Sequence, residues 1–157
     1  MSTRFTQKGT PMVDSHALQL VLSAAKVNEL ATEYLSDKLN QMGYKAVSPS
    51  LLKFLSALDC GVNFSSEIAR NLDVSRQMVA KTVKVLCKAG YLEQVDDVGK
   101  QKRILFTDTG ELLMSDARRL LAEFDNKLIE QCGKKIIKAT LTSLEEIQRI
   151  MAEINDT

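Results

Sequence analysis

Gln77, Lys81, Lys84 and Lys88 follow one another at intervals of four, three and four residues. On a helix turning about 100° per residue, that spacing gathers one amide and three ammonium groups on a single face. Val79, Val83 and Leu86 share the same stretch at i, i+4 and i+7 and fall on the opposite face, as a stripe to be buried. A glutamine amide can pair with the adenine edge at two points, and a lysine can reach guanine or a phosphate. Met78 and Ala80 are apolar enough to lie against thymine methyls. Ser75 reads as the N-cap, and the residues next to it, Arg76 to Lys81, are the ones that would go deepest into a major groove. A solvated charged helix face is common in any protein, so this chemistry needs a scaffold that aims it.

The neighbouring residues supply one. Ahead of Ser75, a short helix is expected over Ser66 to Asn71, with Ser65 as cap, Ile68, Ala69 and Leu72 facing inward, and Asn71-Leu72-Asp73-Val74 as the turn. Behind it, Gly90 ends the second helix, and strands are expected near Tyr91 to Val95 and Lys102 to Thr107. Gly99 allows a positive φ in the connecting turn, and Ile104 and Phe106 alternate inward. Lys100, Lys102 and Arg103 concentrate charge near the tip, where a wing can meet a DNA backbone or minor groove. Two helices, a tight turn and a basic hairpin in this order are a winged helix-turn-helix.

The flanks read as helices. Ala17, Leu20, Val21, Ala24, Val27, Ala31, Tyr34 and Leu35 recur at spacings of three and four within a helix from about Asp14 to Met42, capped by Asp14 or Ser15 and stopped by Gly43. Ser48-Pro49 opens another, with Leu51, Leu52, Phe54, Leu55 and Leu58 on its apolar side and an end near Asp59-Cys60-Gly61; a short strand is expected over Val62 to Phe64. After the hairpin, Thr107 or Thr109 caps a helix whose buried stripe is Leu112, Leu113, Ala117, Leu120, Leu121, Phe124 and Leu128, fading near Cys132-Gly133. Thr142-Ser143-Leu144-Glu145 fits a capping box and opens a last helix, with Leu144, Ile147, Ile150, Met151 and Ile154 as its stripe. The expected architecture is mainly α with one small β-hairpin. It divides into a flexible arm over residues 1–12, an N-terminal dimerisation helix within 13–47, the winged helix-turn-helix over 48–107, and C-terminal dimerisation helices over 108–157, all in one integrated domain. Stripes this long at both ends would stay exposed on one small domain, so a homodimer is expected, and paired modules match two-fold DNA sites.

Composition bounds the rest. The 157 residues are 45% apolar and 26% charged, with a formal net charge of only +1. Residues 70–103 nevertheless hold eight Lys or Arg against four Asp or Glu, so positive charge is concentrated in the winged module and the remainder is slightly acidic. No run approaches the roughly 18 apolar residues of a membrane span, and no apolar signal-peptide core opens the chain; a cytoplasmic protein without membrane partners is expected. Cys60, Cys87 and Cys132 are widely spaced and are expected to be reduced and mostly buried; with His16 as the one histidine they make no metal-site spacing. No nucleophile motif, glycine-rich phosphate loop or set of positioned catalytic groups is present, so neither an enzyme nor a cofactor is expected. The competing reading is a winged-helix protein-interaction module without specific DNA binding, which would not need the charged face of Gln77, Lys81 and Lys84.

In the order and spacing of these pieces the chain resembles the MarR family of bacterial transcriptional regulators. Ser48-Pro49-Ser50-Leu51-Leu52 is similar to the opening of the family's helix before the DNA-binding module. Ser66-Glu67-Ile68-Ala69 followed by Leu72 and Val74-Ser75 is similar to its helix-turn-helix. Val79, Val83, Leu86 and Gly90-Tyr91-Leu92 resemble its recognition-helix core and exit, Leu105-Phe106-Thr107 followed by Gly110 its boundary after the wing, and Thr142 to Glu145 its last helix. The resemblance implies a homodimer joined by helices of both termini, binding palindromic promoter DNA, usually as a repressor. In many members a small phenolic or lipophilic effector enters a pocket between the dimer and DNA-binding regions and releases the DNA. No residue here marks such a pocket; by the resemblance, Gly43, Tyr44 and the inner faces of the first and fifth helices are where it would lie. The chain departs from the family at three points. The wing's usual Asp-x-Arg positions hold Val98 and Lys100, with Asp97 adjacent. Phe64 stands where a Thr or Ser usually precedes the first module helix, and the N-terminal helix carries no cysteine of the oxidation-sensing kind. The residues assigned to DNA are therefore Ser75, Arg76, Gln77, Met78, Ala80, Lys81, Lys84, Lys100, Lys102 and Arg103.

Overall fold

A computed structural model describes residues 15–61, 63–96 and 102–156. Six helices and one hairpin follow in the order α1 (His16–Gln41), α2 (Pro49–Asp59), α3 (Ser65–Leu72), α4 (Arg76–Lys88), β1 (Leu92–Asp96), β2 (Lys102–Phe106), α5 (Asp108–Cys132) and α6 (Lys134–Asn155). The arm expected over residues 1–12, and with it the alternative cap Asp14, lies outside the described residues, as does Lys100.

Side-chain caps set most of the helix starts. The hydroxyls of Ser15, Ser48, Ser75 and Thr107 accept the backbone N–H of Leu18, Leu51, Met78 and Gly110, so each satisfies one of the donors a helix N-terminus leaves unpaired. Two expected caps are not caps. Ser65 is the first helical residue of α3; Phe64, in extended backbone, holds the cap position without a side-chain bond. Thr142 to Glu145 lies in the middle of α6, where the Ser143 hydroxyl donates back to the Ala139 carbonyl (2.9 Å). The helix starts eight residues earlier, after Gly133, whose φ of 83° turns the chain out of α5. Ile136 and Ile137 extend the apolar period back to that point, and nothing between them and Thr142 breaks it.

The core lies where the winged module meets α1 and α5. Leu39, Leu55, Ile68, Val79, Leu86, Ile104 and Leu113 are its largest fully buried side chains, drawn from every element except β1 and α6. Each apolar side chain of this size gains about 1.5–3 kcal/mol from leaving water. The hairpin pairs Leu92 with Phe106 through Asp96 with Lys102. The strand expected over 62–64 reduces to one bridge, Phe64 to Arg103. The Ile104 N–H donates to the Asn63 carbonyl (2.9 Å), and the Asn63 amide donates to the Ile104 carbonyl (3.1 Å), so the α2–α3 connection anchors the wing.

The apolar periodicity of the flanking helices divides into two kinds of position. In α5, Leu113, Ala117 and Leu120 are buried, whereas Leu112 and Leu121 of the same expected stripe are exposed. In α1 the buried residues are Leu35, Ser36 and Leu39, all in its C-terminal half; α6 has no buried residue. Val27 is 66% exposed and Ile154 67%, with Leu18, Leu22, Leu30, Ile136 and Leu141 similarly open. Among the described residues nothing covers these faces. The cysteines also differ from expectation: Cys60 and Cys132 are exposed, because each stands where a helix ends, and only Cys87 is half-buried.

Candidate nucleic-acid interface

The turn that presents α4 is built from backbone. Asp73 takes the left-handed conformation (φ 51°, ψ 50°), its N–H donates to the Arg70 carbonyl, and the Val74 N–H donates to the Ala69 carbonyl (3.0 Å). These paired bonds close α3, and two residues later Ser75 caps α4. The expected four-residue turn is therefore tighter, because α3 runs through Leu72.

Helix α4, about 20 Å long, rests on Val79, Val83 and Leu86, all buried. Arg76, Gln77, Met78, Ala80, Lys81, Lys84 and Lys88 are exposed. One helix thus has a dry stripe and, opposite, a row of an amide and three cations reaching open solvent. Ser75 is exposed as well; its oxygen accepts from the Met78 N–H (3.1 Å), which leaves its O–H as a donor. Val74 and Met78 add exposed apolar surface at the N-terminal end.

The wing brings two of its three expected cations into the described structure. Lys102 and Arg103 are both exposed. Lys102 stands across from Asp96, and the Arg103 guanidinium lies 6.0 Å over the Phe64 ring. Phe64, which replaces the hydroxyl residue of the family pattern, therefore serves as a platform for a wing arginine. Nothing in the spacing of positions 64 and 103 announces that contact.

Behind α4 its exit is pinned from three sides. The Thr107 hydroxyl donates to the Gly90 carbonyl (2.5 Å), and the Thr107 N–H to the Tyr91 carbonyl (3.1 Å). The Tyr91 hydroxyl donates to the Lys45 carbonyl (2.7 Å). Gly110 lies so close to Tyr91 that an added Cβ would collide with the Tyr91 carbonyl oxygen. Next to it, the Tyr44 hydroxyl donates to Asp116 (2.6 Å), which also pairs with Arg119 (2.9 Å). Burial, reinforced by that bond to a carboxylate, pushes the Tyr44 phenol up to about 12. The end of α4 is thereby tied to the end of α1 and the start of α5. The sequence marked Gly90, Tyr91, Thr107 and Gly110 as helix exit and wing boundary, but not the bonds to Lys45 and Asp116 that do the tying.

Beside this core, a cavity of about 580 Å³ lies between α1, α2 and α5, walled by Leu35, Leu52, Met114, Ala117 and Leu121, with the Arg118–Asp59 ion pair at its edge. A second, of about 490 Å³, is bordered by Gly43, Tyr44, Tyr91 and Asp116. Among the described residues no helix is long and apolar enough to cross a membrane, and no group of three or more His, Cys, Asp or Glu is arranged to hold a metal ion.

A mainly helical chain with a two-stranded wing after its helix-turn-helix has a winged-helix fold, and that fold is similar to those of solved MarR-family transcriptional regulators. The chain is similar to Streptococcus pneumoniae FabT, solved in complex with DNA, with a TM-score of 0.73 and 14% identity over 88% of this chain and 99% of that one. It is similar to a MarR transcriptional regulator from Methanosarcina mazei Go1 (TM-score 0.70, 17% identity, 91% and 94% covered). It is also similar to wild-type MarR from E. coli in its apo form (TM-score 0.67, 14% identity, 87% and 98% covered). At these identities the likeness is one of fold. No family model and no curated protein matches the chain.

Proposed function

We propose that the protein is a sequence-specific, DNA-binding transcriptional regulator that acts as a homodimer on palindromic promoter DNA, as a repressor. The observation that carries this reading is the exposed row of Gln77, Lys81, Lys84 and Lys88, set opposite the buried stripe of a helix-turn-helix helix. Its residue types match the donor and acceptor pattern of a major groove, and FabT, of the same fold, has been solved with DNA. Ser75, Arg76, Gln77, Met78, Ala80, Lys81 and Lys84 meet bases and backbone; Lys100, Lys102 and Arg103 of the wing meet backbone or minor groove. The uncovered faces of α1, α5 and α6 pair two copies. Residues 13–47 and 108–157 then form the dimerisation region around the DNA-binding region 48–107. The cavity between α1, α2 and α5 is where a small, largely apolar effector would lodge between the two regions and release the DNA.

The test is fluorescence anisotropy of the purified protein on DNA from upstream of its own gene, with scrambled duplex as control, across a salt series. Binding at one dimer per site, preferring the promoter DNA and falling steeply with salt at about −0.9 per phosphate neutralised, is the expected result. Absence of binding at low salt would reject this reading in favour of a protein-interaction module.

A further inference from the structure

At the junction of α3, α4 and the wing lies a cleft of about 270 Å³ lined by Phe64, Ser65, Ser66, Arg76, Gln94 and Lys102. Its polar lining is unusual in composition. Two cations come from different elements, Arg76 at the start of α4 and Lys102 at the start of β2. Two hydroxyls and one amide complete the set, and among the described residues no carboxylate lines it. Glu67, the next residue along α3, and Asp96, across the hairpin from Lys102, are not among the lining residues. Neither Arg76 nor Lys102 forms an ion pair with another described residue. The cleft can therefore donate hydrogen bonds from five side chains around a local charge of +2, which suits a compact oxyanion and disfavours a cation or an apolar guest. Its volume accommodates one phosphate group with a few waters. It adjoins the exposed N-terminal end of α4, so an anion seated there would lie alongside whatever α4 contacts.

We propose that this cleft seats a single phosphodiester of the DNA backbone in each half-site. Arg76 and Lys102 would close on the same phosphate from α4 and from the wing, and Ser65, Ser66 and Gln94 would supply neutral donors. The inference rests on the DNA-binding reading above and adds to it. The recognition helix and the wing share one backbone anchor, which fixes the angle at which the wing follows the helix onto the duplex. A phosphodiester and free inorganic phosphate offer the same chemistry, and the test separates them.

The salt dependence of binding would be measured for the full-length protein and for Arg76→Ala, Lys102→Ala and the double variant, with thermal midpoints as folding controls. Because the log–log slope counts phosphates neutralised, two cations on one phosphate give the double variant a slope shallower by about 0.9 per half-site. Two cations on separate phosphates would give about twice that. Ser66→Ala and Gln94→Ala should lower affinity and leave the slope unchanged, since they remove neutral donors. A methylphosphonate at one backbone position per half-site should weaken the parent and leave the double variant indifferent. A double-variant slope change near twice 0.9 per half-site, or none at all, would overturn the proposal. So would saturable binding of inorganic phosphate to the free protein, lost in the double variant, while the DNA slope stays that of the parent. A parent protein whose binding ignored salt altogether would instead undo the DNA-binding reading itself.

Discussion

The division of labour within α4 is made residue by residue. Val79, Val83 and Leu86 hold the helix; Gln77, Lys81 and Lys84 face out and take no part in the core. Lys81→Ala and Lys84→Ala should each weaken binding to a cognate duplex by about 1–3 kcal/mol if they read bases, with thermal midpoints unchanged; anisotropy and melting curves on the same preparations check both halves. Two variants that bind like the parent would remove this face from the interface. The face was legible in the sequence because helical period alone separates residues 100° apart. The Tyr44–Asp116 bond was not legible, since its partners are 72 positions apart and share no local pattern. It has its own signature. A phenol raised from 10.0 to about 12 holds its proton more tightly in the folded than in the unfolded chain. Its contribution to stability is therefore complete below about pH 10 and is lost as pH rises from there through 12. Urea unfolding across that range should show a larger loss in the parent than in Tyr44→Phe, in which the buried Tyr91 phenol is still raised, so the stability difference between the two should shrink as pH rises.

Between residue and fold, helix ends decide where the elements begin. Ser48 and Ser75 could be placed from sequence, and Thr107 narrowed to one of two candidates with Thr109, because a hydroxyl residue ahead of an apolar period is a local signal with a local cause. The start of α6 could not. Thr142 to Glu145 has the letters of a capping box, but the actual start follows Gly133, which caps without a side chain. Ser65 misled in the same way: extended backbone at Phe64, not the presence of a hydroxyl, fixes the start of α3. Replacing a true cap should cost more than replacing a false one. Ser75→Ala should lose about 1 kcal/mol in denaturant unfolding, whereas Ser143→Ala, on the exposed side of a continuous helix, should stay within about 0.5 kcal/mol of the parent. Gly110→Ala should be more damaging than either, because the new methyl meets the Tyr91 backbone and not a movable side chain.

For the molecule as a whole, apolar periodicity in sequence marked faces but could not say which of their residues this chain buries or what covers the rest. Leu113 and Leu112 are neighbours in the same expected stripe, yet one is fully buried and the other open. In the proposed homodimer the open set on α1, α5 and α6 becomes the interface. Val27→Glu or Ile154→Glu should therefore convert the protein to monomer in sedimentation, with a large loss of DNA affinity although α4 is untouched; a dimer that survives both changes would move the interface elsewhere. Two copies related by a two-fold axis carry two α4 helices, and the DNA they select must carry that symmetry. Selection of duplexes from a fully randomised pool by the purified protein tests this most directly. The account predicts enrichment of an inverted repeat whose half-sites are centred about one helical turn, 10–10.5 base pairs, or a multiple of it apart. A pool that remains random after repeated selection at low salt would contradict it.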